Sequence, residues 1–368
     1  MTAEVCIMNR HAAVLAADSA TTVSRWVDGK EELRYFKGAN KIFQLSHQHP
    51  IGVMIFNSAD FMRVPWEILI KTFRDDLNGK SFNSLQGYVD EFFQWLDGNP
   101  RFFPDDIQRD IFIGGAKNAA ARLCRLSREE LPDAEAEDLN VVLAKLPAWL
   151  TARTEQLKAE PLAERLTAEA VETVKTAWKV PLVEAIREML ADADWPIPGD
   201  IDALAEVAIH EAVVRPREYF STAGLVFAGY GDHDIFPAMV EYESAGFIGG
   251  IAAMTRMKSE SIDHEVPASL SAFAQTGMAD TFQLGFSVDI YGAFMRNLRE
   301  SIAEFAESVC DKVAGILESS MISPLARVSY AIRSPRRYLP VRGENIHSRF
   351  GRCWACCPST KWQSWRKP

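Results

Sequence analysis

Two apolar segments, AEVCIMN (residues 3–9) and AAVLAA (residues 12–17), open the chain with only Arg10 and His11 between them. Runs this short, joined by so tight a polar turn, read as a β-hairpin buried on at least one face, so the fold begins with sheet. Two more strand-like runs follow, NKIFQLS (40–46) and IGVMIF (51–56), separated by the turn-forming HQHP. Asn57-Ser58-Ala59-Asp60 then leads into Phe61 to Phe73, whose apolar spacing suits a helix on that sheet with Pro65 near its first turn. A second helix is expected over Leu85 to Leu96.

From 127 to 215 the composition shifts to Ala, Glu, Leu and Lys, with apolar residues at three- and four-residue spacing: Leu162 and Leu166, then Val171, Val174 and Trp178, then Leu182, Ile186 and Leu190. This predicts a helical insertion, with Pro161 and Pro181 in the first turns of separate helices. Its charge run EELPDAEAED reads as a solvated linker or helix surface. Sheet signals return at 221–230 and 235–242, joined by the turn GDHD, and a strongly amphipathic helix from Ser287 to Glu318 closes the ordered body. The order of sheet, helices, helical insertion, sheet and helix predicts an α+β layered fold over residues 1–321 and not a βαβ repeat.

The net charge of −10 divides unevenly. Residues 322–368 hold eight Arg and two Lys against one Glu, which leaves an acidic body of −19 beside a tail of +9. An acidic body argues against a phosphate-backbone binder, so no nucleic-acid partner is expected. The tail follows neither strand nor helix periodicity, and its Arg, Ser, Pro, Trp and Cys richness reads as a disordered or out-of-frame terminus; Cys353, Cys356 and Cys357 with His347 are the residues that would otherwise suggest zinc. Scattered Cys6, Cys124 and Cys310, the lack of a secretory signal and the lack of a long apolar run point to a soluble cytoplasmic protein with reduced thiols and no membrane partner. His47 and His49 sit on a turn without a nearby third ligand, and Gly249-Gly250 belongs to no phosphate loop, so no metal and no cofactor is expected.

Chemistry enters with Thr2. An initiator Met before a small residue is normally removed, and a chain that then begins with Thr has a nucleophilic hydroxyl and a general base, its own α-amine, on one residue. Asp18 ends the second strand of the hairpin, where the fold-back returns it towards the chain terminus, and Lys41 starts the next strand. Such a Lys can lower the pKa of a threonine hydroxyl while an Asp orients it; the same two residues also make an ordinary surface ion pair. The turn at Asn57-Ser58 can offer backbone N–H groups as an oxyanion hole, or serve only to cap the following helix.

Thr2, the hairpin end AADSATT (16–22), NKIFQLS with Lys41 and the IFNSAD junction (55–60) together resemble the opening of the proteasome β-subunit family, including the bacterial peptidase rings that work with ATP-driven unfoldases. Weaker likeness continues through LVFAGYGDHDIFPAMVEYESAGF (225–247) and Gln275-Thr276-Gly277. The resemblance implies a four-layer α/β/β/α sandwich of the N-terminal nucleophile (Ntn) hydrolase type. Residue by residue it implies Thr2 as nucleophile, Asp18 and Lys41 as the charge pair, Ser58 as the oxyanion-hole donor through its backbone, and Thr276 as support for the amine. Peptide or unfolded-protein substrates, a homo-oligomeric ring and an ATP-dependent unfoldase are the implied partners. Two departures are Lys41, which comes several residues late and requires a longer loop after Thr22, and Ser58 in place of the family's usual Gly. The 127–215 insertion has no counterpart in ordinary members. A catalytically silent scaffold, or an Ntn amidase acting on a small-molecule amide, would carry the same features.

Overall fold

The computed structural model describes residues 3–27, 30–131, 139–193, 195–196, 198–274, 277, 281–282 and 285–319. The tail and its cysteines, Thr2 and Thr276 lie outside them. The contact pattern divides the chain into two compact units at Ala293/Phe294.

The opening hairpin forms as its alternation dictates: β1 (Ala3–Asn9) pairs antiparallel with β2 (Ala13–Ala17), and β12 (Ala268–Ala274) lines the other side of β1. This three-stranded sheet, in the order β12-β1-β2, buries Glu4, Cys6 and Met8 on one face while Val5 and Ile7 point to the other. A five-stranded antiparallel sheet runs β11 (Ile251–Ser261), β10 (Ala238–Ile248), β9 (Ala223–Gly229), β6 (Ile51–Phe56) and β5 (Ile42–Gln44). Cys6, Met8 and Phe273 of the small sheet pack on Met54, Val226, Ala228 and Met239 of the large one, so the two sheets lie face to face.

The opposite face of the large sheet carries helices α1 (Trp66–Leu77) and α2 (Leu85–Asp97). Helix α1 turns Trp66, Leu69, Ile70, Phe73 and Leu77 inward at helical spacing, and α2 does the same with Tyr88, Val89, Phe92, Phe93 and Leu96. Each such side chain contributes roughly 1.5–3 kcal/mol by leaving water. Ser84 caps α2 by accepting from Gly87 N–H, and Asp234 Oδ2 of the GDHD turn accepts from Leu85 N–H at 3.0 Å, so the β9–β10 turn braces the start of this helix.

A helical block, α3 (Asp105–Glu130), α4 (Leu139–Lys158), α5 (Ala168–Asp192), α6 (Ile201–Val214) and α7 (Pro216–Tyr219), packs around Leu123, Val174, Ile186, Leu204 and Ala208 and against Ala245, Ile248 and Ala253 of the β10–β11 hairpin. It begins at Asp105, earlier than the composition shift at 127. Pro161 falls between helices, while Pro181 sits inside α5, where packing of Leu182 and Ile186 outweighs the lost hydrogen bond. Helix α8 (Val288–Ser319) matches the expected amphipathic segment, and among the described residues no helix is long and apolar enough to cross a membrane.

Two local expectations need correction. The loop required after Thr22 is a second hairpin, β3 (Ala20–Val27) with β4 (Lys30–Lys37). Helix α1 starts at Trp66 and not Phe61, because Met62 and Arg63 take left-handed φ values of 53° and 65° and form a tiny hairpin, β7 (Asp60–Phe61) with β8 (Val64–Pro65). Gly249-Gly250, which by sequence belongs to no phosphate loop, is the β10–β11 turn, with φ of 60° and 85°, the conformation that a two-residue turn between tightly twisted strands favours.

Candidate active site

Strand pairing brings Asp18, Lys41 and Ser58 to one end of the two facing sheets. In the small sheet, the start of β1 pairs with the ends of its neighbours, Ala3 opposite Ala274 and Glu4 opposite Ala17. In the large sheet, Ile42 opposes Met54, and Ile55 N–H donates to Lys41 C=O at 2.8 Å, which sets the start of β5 beside the end of β6. Thr2 and Thr276 lie outside the described residues; Ala3 and Ala274 face each other in register at this end.

Asp18 and Lys41 are in direct contact. Lys41 Nζ donates to Asp18 Oδ1 at 3.0 Å, bridging from the large sheet to the small one. The same carboxylate accepts from the backbone N–H of Ala20 at 3.0 Å through Oδ1 and of Ala3 at 3.3 Å through Oδ2. In return Asp18 N–H donates to Ala3 C=O at 3.2 Å, so the strand end is fastened to the residue that follows Thr2. Partial desolvation acts to raise the Asp18 carboxyl, but the hydrogen bonds from Lys41, Ala3 and Ala20 outweigh it and hold the group below the usual aspartate range. Only a tenth of the Lys41 side chain is exposed, against 41% for Asp18, so the ammonium is the sheltered partner of the pair.

Ser58 sits at the same end of the large sheet, just past β6. The chain turns there because Asn57 adopts φ +66°, a left-handed conformation that Asn tolerates better than most residues. Ser58 Oγ donates to Asp60 C=O at 2.9 Å and accepts from Asp60 N–H at 3.3 Å, which fixes the turn. Neither Asn57 nor Ser58 caps α1, whose N-cap is Pro65, so helix capping does not account for these residues.

Sequence reasoning missed Glu4. It lies on the inward face of β1, 1% exposed, and Lys41 Nζ approaches its Oε1 to 3.4 Å. Among the described residues neither carboxyl oxygen has a well-formed hydrogen bond. Burial pushes the Glu4 carboxyl above its ordinary value, the charge of Lys41 and the approach of its ammonium to Oε1 oppose that rise, and the Asp18 charge adds to it. A carboxyl in an otherwise apolar inward set, Glu4, Cys6 and Met8, was the available signal. The Cys6 thiol, two residues along the same face, is pushed up to about 12, first by burial and then by the charge of Glu260.

The histidines divide between partners: His47 contacts Asp75 at 3.0 Å and His49 contacts Asp232 at 3.3 Å. Among the described residues no cluster of His, Cys, Asp and Glu has the arrangement of a metal site.

Comparisons with protein-family models, curated proteins and solved structures return no match. The chemistry of the site therefore rests on its own residues: a sheltered cation held between two carboxyls at the start of β1.

Proposed function

We propose that the protein is an Ntn hydrolase that cleaves peptide amide bonds with the Thr2 hydroxyl, exposed when Met1 is removed. The observation that carries this reading is the shared carboxylate of Asp18, which binds both Lys41 Nζ and the backbone N–H of Ala3. It ties a cation to the immediate neighbourhood of Thr2. In the proposed reaction Thr2 Oγ attacks the carbonyl carbon and its proton passes to the α-amine. The tetrahedral oxyanion draws on a backbone N–H at Ser58, and the α-amine returns the proton to the departing amine as the C–N bond breaks. Water, deprotonated by the same amine, then hydrolyses the Thr2 ester. Lys41 stabilises negative charge on Oγ, Asp18 orients Lys41, and Thr276 supports the amine.

The architecture that goes with this reading is a four-layer α/β/β/α sandwich. The outer face of the small sheet supports it: Val5, with Ala16 and Ala272 beside it, and Ile7, flanked by Val14 and Leu270, make two apolar rows suited to cover by helices. A homo-oligomeric ring, a cytoplasmic location and an ATP-driven unfoldase as partner belong to the same proposal.

Intact mass and labelling by a peptide epoxyketone, which reacts with both Oγ and the α-amine of an N-terminal threonine, test the mechanism. Loss of Met1, one label per chain and no label in Thr2→Ala are expected. Retained Met1, or labelling unchanged in Thr2→Ala, would sink it.

A further inference from the structure

Buried carboxyls in folded proteins are hydrogen-bonded almost without exception, because stripping water from an oxygen without replacing the bond is costly. Glu4 departs from this. Its side chain is fully enclosed, neither oxygen has a hydrogen-bond partner among the described residues, and the nearest described cation, Lys41, stands at 3.4 Å while donating at 3.0 Å to a different carboxylate. Among the described residues the groups facing Glu4 are few. Lys41 approaches from the large sheet and Asp18 from the end of β2, while Ala17 and Phe273, its register partners on β2 and β12, cannot titrate. Along its own face the next residue is Cys6, with Lys258 and Glu260 of β11 beyond it. One cation thus serves two carboxyls that differ in solvent access.

We propose that Glu4 is a positioning residue of this site, a proton-holding carboxyl that competes with Asp18 for Lys41 and so sets how far the ammonium can support the Thr2 hydroxyl. The proposal rests on the threonine-nucleophile reading. With its proton, Glu4 is neutral, Asp18 alone holds Lys41, and the ammonium charge is available to an oxyanion on Thr2. When the proton leaves to solvent, a second anion faces the same ammonium from the enclosed side. Lys41 is then drawn inward and its charge is doubly offset, which weakens its effect on the hydroxyl. Burial supports this order of events, since it keeps the proton on Glu4 above the ordinary glutamate pKa of 4.5.

Two measurements decide it. First, carbon NMR of carboxyl-labelled glutamate in the wild-type protein should show one resonance, absent in Glu4→Gln, that titrates above 4.5 and moves further upward in Lys41→Met. Second, epoxyketone labelling of Thr2 should be equally fast in wild type and Glu4→Gln below that titration. Above it the variant should be about tenfold faster, equivalent to one pKa unit in the hydroxyl. The neutral amide of the Glu4→Gln variant imitates the protonated carboxyl, so a merely structural role predicts no such divergence of the two pH profiles. Titration of Glu4 at or below 4.5, or identical profiles with Thr2-dependent labelling intact, overturns the role of Glu4 and leaves the hydrolase reading standing. Absence of labelling at every pH overturns the hydrolase reading, and the role of Glu4 with it.

Discussion

Glu4 in the sheet and Glu211 in the helical block are both closed to solvent, at 1% and 0% exposure, but their surroundings differ. Arg153 donates to both oxygens of Glu211 at 3.1 Å through Nη2, Arg215 Nη1 donates at 2.5 Å, and Tyr219 O–H donates at 3.0 Å. That carboxylate is saturated with donors, two of them cationic, and links α4, α6 and α7. Among the described residues Glu4 has one cation at 3.4 Å and no well-formed hydrogen bond. A buried charge that has been fully satisfied holds elements together, whereas one left short of partners marks a place where a proton or an ion changes hands.

Several substitutions can break this contrast. Glu211→Gln should have the largest effect, about 3 kcal/mol of lost stability by urea unfolding, at the low end for breaking a buried pair because both arginines retain some solvent access. A loss under about 1 kcal/mol would erase the distinction. Tyr219→Phe removes one donor to a charged acceptor and should cost about 1.5–3 kcal/mol, with the helical block still folded by circular dichroism. Glu4→Gln should have the smallest effect near the ordinary glutamate pKa of 4.5. Its signature is the pH dependence. A folded-state pKa raised above the unfolded value means that the native chain holds the proton more tightly, so wild-type stability falls as pH rises from 4.5 through the raised pKa. Asp18 acts in the opposite sense, its depressed pKa adding stability above the usual aspartate value of 3.8 that is lost as pH falls. The stability difference between wild type and Glu4→Gln, measured across that range, isolates the first slope, and a flat difference would erase the contrast.

Much of this arrangement is legible in the sequence where periodicity and chemistry agree. Strands β1, β2, β6 and β9 and helix α2 appear almost where alternation and apolar spacing put them, and the fold-back of β1 on β2 is enough to anticipate Asp18 near the start of β1, whereas its pairing with Lys41 rests on the family resemblance. Strands β11 and β12 are harder to read, because Ile251–Ser261 carries Arg256, Lys258 and Glu260 and Ala268–Ala274 is rich in Ser and Ala; the diagnostic was the turn at Gly249-Gly250. The β3–β4 hairpin hides for a similar reason, with KEELRYFK reading as polar surface. Pro181 misleads because tertiary packing overrides a local rule. Glu4 escapes because one carboxyl in a short strand has no periodicity of its own; its alternation with Cys6 and Met8 carries the signal, and the partner sheet fixes that face as inward.

Arg165, in the connection between α4 and α5, donates to Asp97 at the end of α2 at 2.6 Å and to Ala252 C=O of β11 at 2.7 Å, while Ala252 N–H donates to the other oxygen of Asp97 at 2.8 Å. A few residues away, a side chain at Gly249 would meet the backbone oxygen of Ala170 at 2.4 Å. The helical block is therefore no removable appendage. Cutting it out would strip Asp97 of its cation and bare the apolar flank of the β10–β11 hairpin, so sheets and block should melt as one cooperative unit, in a single calorimetric transition.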